Sequence, residues 1–330
     1  MNKANSGDFA VAYDHIMTIT KQLGPQEAAH YLIYCCGRKG THSLTRWSKH
    51  ALSRYTGVTA RQAHKSERNL ISGGFVAKVR DGKHPQFQIT PSATGEYLWL
   101  NKTFVMGASD ETPPLRLLYQ TGNLEAFRLM MDYYWLTDIV QEGGLWQIWI
   151  NYNSEYIAEH AHYSAVGFSE GNQIAAHSTL DNQYQSIWSG FDALFNLGLI
   201  YKVPYLFPSA TSEPLFPLVH PFTQKPLTHI TNLAVDSLND VFRSRASLYN
   251  YCLLIPRHMG SPIVKAMFVP RYTPHTARWK AAFAITEERI RGAGCLYQGV
   301  HQGVHQRDIS KITSNTLLAT GDQDASWAYE

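Results

Sequence analysis

The sequence predicts an α+β protein, mainly helical, built from three successive segments. Apolar residues recur at helical spacing over much of the chain, whereas the stretch after Gly73-Gly74 alternates between apolar and basic residues, as a half-buried strand does. Prolines and other turn-forming residues interrupt these patterns at 106–114 and again at 204–226. A length of 330 residues, of which 44% are hydrophobic, provides for more than one core.

These interruptions divide the chain into predicted domains. Residues 1–105 form the first domain, residues 106–114 a linker, residues 115–206 a second domain, and residues 207–330 a mixed α/β region with a loosely ordered tail. The second domain is expected to open with a helix at 125–139 and to close with a helix, a glycine and a strand at 191–203. The elements expected in the last region are helices at 234–247 and 277–291 and strands at 251–255 and 263–269.

The first domain is expected to begin with two helices. Helical spacing links the apolar residues Phe9, Tyr13, Ile16 and Leu23, and a second helix follows over 25–36. Cys35 and Cys36 are adjacent, and the four cysteines have neither the spacing of a disulfide framework nor that of a metal site. We therefore expect reduced, buried thiols and a cytoplasmic protein. No apolar run reaches about eighteen residues, so no membrane association is expected.

Two short helices joined by a tight turn come next. An apolar stripe made by Trp47, Ala51, Leu52 and Tyr55 predicts a helix over 44–55, which ends at Gly57-Val58. The stretch Thr59-Ala-Arg-Gln62 has the spacing of a capping box, so the second helix begins there and runs to about residue 72. The inner face of this second helix is expected to consist of Ala63, Leu70 and Ile71. Glu67 lies toward the same face, and the pattern does not explain it.

A hairpin is predicted after the glycine pair. Residues 75–80 alternate, so that Phe75, Ala77 and Val79 are expected on one face and Lys78 and Arg80 on the other. Asp81-Gly82 is a typical hairpin turn, and Phe87 and Ile89 resume the alternation on the return strand. Thr90-Pro91 then predicts a final helix with an N-cap and a proline at its first position.

Positive charge is concentrated between Arg38 and His84. This stretch has eleven lysines and arginines but only two acidic residues, Glu67 and Asp81, so its net charge is +9 while the rest of the chain carries −6. A basic block on a mildly acidic body favours a local site for a polyanion. A solvated basic surface without a partner is the alternative that composition leaves open.

The order of helix, glycine turn, helix with a basic outer face and hairpin with a basic tip resembles the winged helix-turn-helix superfamily. The residues that carry the resemblance lie at 44–55, 57–58, 59–72, 74–76, 81–82 and 89–95, and the resemblance covers about residues 26–102. In that superfamily the second helix of the pair enters the major groove of duplex DNA and the wing contacts the DNA backbone.

The resemblance implies a set of DNA-binding residues. The set consists of Arg46, Lys49, Thr59, Arg61, Gln62, His64, Lys65, Arg68, Asn69, Lys78, Arg80 and Lys83. Those on the second helix would meet base edges, where Arg and Lys suit guanine and Asn and Gln suit adenine. Those on the wing and at the start of the first helix would lie along phosphates. The alternative is a protein–protein module whose basic face is merely solvated.

The end of the second domain follows the same plan. Residues 193–203 have the rhythm of residues 69–79, since each stretch places a small turn before an apolar–polar strand. The preceding helix, predicted over 181–196, contains no lysine or arginine. Its aromatic residues favour a core face over a partner or dimer surface and are Tyr184, Trp188, Phe191 and Phe195.

Catalytic and metal sites are not expected. His160-Ala-His162 matches the His-hydrophobic-His pair of rolling-circle nucleases, which requires a strand. Residues 154–160 are predicted to be helical, and positions i and i+2 of a helix point apart. The chain has neither a phosphate-binding loop nor a nucleophile elbow. We therefore predict that the protein is not an enzyme and has no cofactor.

We predict that the chain binds double-stranded DNA sequence-specifically, as a transcriptional regulator that occupies its site as a homodimer. The alternative is a replication or partition initiator of a plasmid or mobile element with tandem winged helices, which a second winged helix at 115–206 would favour. A protein–protein interaction module without a nucleic-acid role is the third hypothesis.

Overall fold

The structure is a computed structural model that describes residues 7–38, 43–108, 111–136, 148–159, 163–176, 187–209, 216–219, 248–257, 260–271 and 296–297. Its described residues have a mixed α+β fold with antiparallel sheets and divide into two units. The first unit is drawn from Met1–Gln141, Gln183–Tyr201 and Pro270–Lys280, and the second from Glu142–Asn182, Lys202–Val269 and Ala281–Glu330. The stretch predicted as a linker, 106–114, falls inside the first unit.

The first unit contains every helix that the structure describes. Its elements in chain order are β1 (Asp8–Ala12), α1 (Tyr13–Gln22), α2 (Pro25–Cys36), β2 (Leu44–Thr45), α3 (Lys49–Thr56), α4 (Ala60–Ser72), β3 (Val76–Arg80), β4 (Gln86–Ile89), β5 (Tyr97–Asn101), α5 (Thr103–Met106), α6 (Pro114–Gln120), α7 (Leu124–Leu136) and α8 (Ile187–Asn196). Strands β1 and β5 pair antiparallel. Strands β2, β4 and β3 form an antiparallel sheet in that order.

Helix α2 is the centre of the first unit. Its residues from Glu27 to Cys36 are all buried, because α1, α3, α4 and β1 pack around it. The predicted bounds of α2 are confirmed, as is the burial of Cys35 and Cys36. Burial raises the pKa of the Cys35 thiol to about 11 and that of Cys36 to about 12. Both thiols are therefore protonated at neutral pH, which suits a packing role.

The predicted helical position of Phe9 is wrong. Phe9 lies on β1, and the helix begins at Tyr13. Phe9 and Val11 are buried while β1 pairs with β5, whose residues Tyr97–Asn101 are far away in sequence. Because local spacing carries no information about a distant partner strand, tertiary pairing overrides the helical pattern here.

The first helix of the pair is shorter than predicted. Leu44 lies on β2, which pairs with β4, and α3 begins only at Lys49 after the N-cap Ser48. Trp47 therefore precedes the helix, but its ring still stacks on that of Tyr55, with the centroids 5.2 Å apart.

Helix α4 is confirmed in its start and its end, and its inner face is confirmed in part, because Ile71 is only half-buried. Thr59 and Gln62 form the predicted capping box, and Gly74, with φ of +77°, follows the end of the helix. Ala63 and Leu70 are fully buried.

The hairpin is confirmed as an element, but the predicted buried face of its first strand is wrong. Phe75 and Val76 are buried at the root of β3, whereas Ala77 is exposed and Val79 is 49% exposed. Strand β3 is the edge of the sheet and its outer half has no core to cover it, so alternation there does not bury apolar residues. The Asp81-Gly82 turn and the burial of Phe87 and Ile89 agree with the prediction.

The helix predicted at Thr90-Pro91 is wrong. The Thr90 hydroxyl donates to the carbonyl oxygen of Gly74 at 2.6 Å instead of capping a helix. The chain then turns at Gly95, where φ is +76°, and enters β5 at Tyr97.

The second unit is built on a sheet. Its strands are β6 (Ile148–Glu159), β7 (Tyr163–Ala176), β8 (Ile200–Phe207), β9 (Phe216–Pro217), β10 (Tyr251–Pro256), β11 (Ile263–Pro270) and β12 (Leu296–Tyr297). The first two residues of β8 and the last residue of β11 are assigned to the first unit. The order across the sheet is β12-β10-β7-β6-β11-β8-β9. The two strands predicted near 251–255 and 263–269 are confirmed as β10 and β11.

The helix predicted over 154–160 is wrong. Residues 154–159 belong to β6, which pairs with β7 along most of its length and with β11 near its start. The argument from helical geometry against a His160-Ala-His162 site therefore no longer applies, although these three residues lie outside the described residues. The helices predicted at 234–247 and 277–291 also lie outside them.

The helix, glycine and strand predicted at 191–203 are confirmed as α8, Gly198 and β8. Helix α8 packs closely on α7, since a Cβ at Gly190 would lie 2.9 Å from the carbonyl carbon of Glu125. Of the aromatic residues predicted on its core face, Phe191 is fully buried, whereas Trp188 and Phe195 are half-buried. Tyr184 lies outside the described residues. Two long strands, β6 and β7, separate α7 from α8 in the chain. No helix of the described residues is long and apolar enough to span a membrane.

Candidate nucleic-acid interface

Helix α4 has an inner face that combines apolar and polar side chains. Ala63 and Leu70 are buried one above the other, and Ser66 and Glu67 are buried between them. This spacing of three and four residues is that of one helical face. The buried polar side chains require partners, because an unsatisfied buried polar group is costly.

The partners come from α2. Nδ1 of His30 lies 3.1 Å from the hydroxyl oxygen of Ser66, and the Tyr34 hydroxyl donates to the Glu67 carboxylate at 3.3 Å. The amide nitrogen of Asn69 donates to the Glu27 carboxylate at 2.8 Å. We call these three pairs the polar seam. They explain why an acidic residue faces inward in a basic stretch: Glu67 accepts a hydrogen bond that the core would otherwise leave unmade.

His30 is neutral beneath the helix. Burial lowers the pKa of His30 to about 3, so the imidazole carries no charge at neutral pH. Its ring stacks on that of Tyr34, with the centroids 4.4 Å apart. Its Nε2 atom has no hydrogen-bond partner among the described residues. The seam therefore adds no positive charge to that of the exposed bases.

The first turn of α4 is held from two sides. Within the helix, the Gln62 amide oxygen accepts from the backbone N–H of Thr59 at 3.0 Å, and the Thr59 hydroxyl accepts from the backbone N–H of Gln62 at 3.3 Å. From outside, the Gln26 side chain donates to the backbone oxygen of Gln62 at 3.1 Å. The Tyr119 hydroxyl of α6 donates in turn to Gln26 at 3.5 Å.

The outer face of α4 is basic and exposed. Arg61, His64, Lys65 and Arg68 all lie on it, at positions that alternate with the buried ones. Within the part of the chain that the structure describes, none of these four side chains takes part in an ion pair. Their positive charge is therefore not neutralised by a neighbouring described carboxylate.

Both acidic residues of the basic stretch are engaged locally. Glu67 is buried in the polar seam, and the Asp81 carboxylate forms a 2.7 Å ion pair with the ammonium of Lys78. The hydrogen bond from Lys78 lowers the pKa of Asp81, with smaller contributions from the Gly82 backbone N–H and the charge of Lys49. The same bond raises the pKa of Lys78.

The remaining predicted residues differ in exposure. Arg46 is exposed between β2 and α3, and Lys49 is half-buried as the first residue of α3. Arg80 and Lys83 are exposed on and beside the hairpin turn. Asn69 is half-buried, and its amide nitrogen already donates to Glu27, so its outward hydrogen-bonding capacity is reduced.

Two kinds of residue were missed by the sequence analysis. The first are the residues of α2 that position α4, and the second is a cation near α4. His30 and Gln26 lie on α2, which was predicted only as a buried helix, and Arg116 lies on α6, beyond the predicted linker. Only the pairing of distant segments reveals them, so no local pattern could have identified their contacts.

A search of the described residues finds no group of three His, Cys, Asp or Glu side chains that could hold a metal ion. Comparison of the chain with models of protein families, with curated proteins and with solved structures gives no significant match.

Proposed function

We propose that the protein binds double-stranded DNA sequence-specifically and acts as a transcriptional regulator by occupying its site. The observation that carries the proposal is the outer face of α4, where Arg61, Lys65 and Arg68 are exposed without an ion pair to any described residue. Clustered cations without local counter-charges favour a polyanionic partner.

The element order supports a winged helix as the DNA-binding part. In this proposal α2, α3 and α4 are its three helices, and the sheet order β2-β4-β3 places the β3–β4 hairpin as its wing. Helix α4 has 13 residues and so is about 20 Å long, with a diameter of about 10–12 Å. Because the major groove is about 12 Å wide, the helix fits it and can follow about six base pairs.

The side chains divide into two roles under this proposal. Arg61, Lys65 and Arg68 would reach base edges and give sequence preference, while Arg80 and Lys83 on the hairpin would contact phosphates. Lys78 would contact DNA only by leaving Asp81, because the two already form an ion pair. Its contribution to DNA binding is therefore smaller than that of Lys83.

The proposal includes a homodimer. A single small DNA-binding module buries about 600–1,000 Å² of protein surface, which limits the affinity of one copy. Two copies on a two-fold symmetric site would place their recognition helices in successive major grooves, about 34–36 Å apart.

The test is DNA binding by the full chain at several salt concentrations. Binding to duplexes from around its own gene is compared with binding to random duplex. The variants are R61A/R68A and R80A/K83A. The control is K21A/R257A, which removes the same amount of positive charge at exposed positions elsewhere in the chain. We expect R61A/R68A to lose discrimination between the duplexes. We expect R80A/K83A to weaken both equally and to lower the salt slope by about two.

Three outcomes would contradict parts of this proposal. Absence of binding to any duplex at low salt would leave the basic face as a protein-docking surface. Equal effects of both double variants on all sequences would refute recognition by α4. A footprint of direct repeats, in place of a two-fold site, would favour a replication or partition initiator over a regulator.

A further inference from the structure

Arg116 of α6 lies against the turn between α3 and α4. Gly57, which forms this turn, has φ of +82°, and a Cβ placed on it would lie only 2.8 Å from Nη2 of Arg116. The guanidinium group therefore covers the backbone of the turn directly. Glycine at this position accommodates both the left-handed backbone and the close approach of Arg116.

The Arg116 guanidinium lacks an anionic partner within the described structure. Its Nε atom is buried and has no acceptor there, and no described carboxylate forms an ion pair with the side chain. An arginine stays charged at all physiological pH values and presents five donors. A half-buried cation beside a stretch of net charge +9 is electrostatically unfavourable unless an anion is bound nearby.

The position of Arg116 is linked to the first turn of α4. Tyr119, one helical turn after Arg116 on α6, donates to Gln26, which donates in turn to the backbone of Gln62. Helix α6 packs on α3 and α2, and its link to the N-terminal turn of α4 runs through Gln26. When a helix such as α4 enters the major groove with its N-terminal residues at the bases, the preceding turn lies beside the DNA backbone.

We propose that Arg116 binds a phosphodiester group of duplex DNA at the flank of the α4 site. This inference rests on the proposed function, because it takes α4 to be the recognition helix. It extends the DNA-binding surface to α6, beyond the basic stretch of 38–84. The phosphate would accept from the Nη nitrogens of the half-buried side chain, because Nε is buried, and the contact carries no base preference.

The experiment compares R116Q and R116K with the wild-type chain, with K21Q as a control of equal charge change at an exposed position. Binding to specific and random duplex is measured between about 50 and 200 mM salt. Loss of one phosphate contact lowers the salt slope by about 0.9, so the wild-type to R116Q affinity ratio falls about 3.5-fold over this range. R116K retains the charge and is expected to keep a slope close to that of the wild type.

A second measurement needs no variant. Phenylglyoxal modifies accessible arginines, and peptide mass spectrometry reports the extent at Arg116 with and without saturating duplex. We expect bound duplex to protect Arg116 and to leave the exposed Arg257 unchanged.

The failures of this inference and of the proposed function are distinguishable. If the wild type binds duplex while R116Q shows an unchanged salt slope, or while duplex leaves Arg116 unprotected from phenylglyoxal, the role of Arg116 is overturned. Either result leaves the proposed function in place. Absence of wild-type binding to any duplex overturns both. A lower Tm for R116Q with the slope unchanged assigns Arg116 to packing against Gly57 and likewise overturns the inference.

Discussion

Replacement of His30 by glutamine tests how α4 is attached to α2. His30 is buried on every side, contacts Ser66 of α4 and stacks on Tyr34. Glutamine can still offer a hydrogen-bonding group to Ser66, but it does not titrate. The difference between the wild type and H30Q therefore isolates the protonation of one imidazole.

The magnitude follows from the pKa of His30, which burial lowers from 6.5 to about 3. Below pH 6.5 the unfolded chain takes up a proton at His30 while the folded chain does not, so the folded state loses stability as the pH falls. Each pH unit corresponds to about 1.4 kcal/mol, so the fall from about pH 6.5 to about pH 4.5 gives a loss of about 3 kcal/mol. The folded state therefore keeps its full stability above about pH 6.5, and the loss grows until the pH reaches the pKa of His30 in the folded state.

Urea unfolding at pH 7 and at about pH 4.5 measures this effect. We expect the free energy of unfolding of the wild type, relative to that of H30Q, to decrease by about 3 kcal/mol between the two conditions. S66A is the matched control, because it removes the partner on α4 but keeps the titrating group, and it should follow the wild type. A difference between wild type and H30Q that is the same at both pH values would refute the burial of neutral His30.

The remaining predictions concern Asp132, Thr59 and the adjacent cysteines of α2. Burial raises the pKa of Asp132 to about 6, so stability falls as the pH rises from about 4 to 6, and D132N should gain up to about 3 kcal/mol over the wild type by pH 7 in urea unfolding. T59A removes the N-cap of α4 and should lower the free energy of unfolding by about 1 kcal/mol. Cys35 and Cys36, buried in α2, should react with a thiol reagent at neutral pH only after denaturation.

Each of these expectations has a contradicting result. A stability gain in D132N that does not change with pH would show that Asp132 is not a buried, titrating carboxyl. A Tm for T59A equal to that of the wild type would mean that the capping box contributes nothing. Rapid modification of Cys35 or Cys36 in the native chain, located by peptide mass spectrometry because the chain has two other cysteines, would place that cysteine at the surface.

The parts of the fold that the sequence predicted correctly are those that contiguous residues determine. The capping box of Thr59 and Gln62 and the hairpin turn at Asp81-Gly82 depend on side chains and backbone angles within four residues. The division of α4 into a buried and a basic face follows from its own period. The outer residues of the candidate site could therefore be predicted without knowledge of any tertiary contact.

The parts that could not be predicted depend on distant partners. Phe9 forms a strand because Leu100 lies opposite it, and residues 154–159 form a strand because β7, which the local sequence does not indicate, lies opposite them. The same limit applies to the site, since the contact between Gly57 and Arg116 joins two segments that composition alone would separate. A pattern that is ambiguous between helix and strand is decided by such pairing.

The polar seam helps to fix the rotation of α4 about its axis, and so which of its side chains face outward. Apolar contacts such as those of Ala63 and Leu70 have no preferred direction. Without other contacts, they would allow some rotation of the helix about its axis. Rotation by one residue, about 100°, would place Arg68 against Tyr34, where Glu67 now accepts a hydrogen bond. A buried guanidinium facing a hydroxyl donor is far less favourable than the carboxylate it would replace. The inward acidic residue and the outward bases therefore favour the same rotation of the helix, which is why Glu67 belongs in a stretch that is otherwise basic.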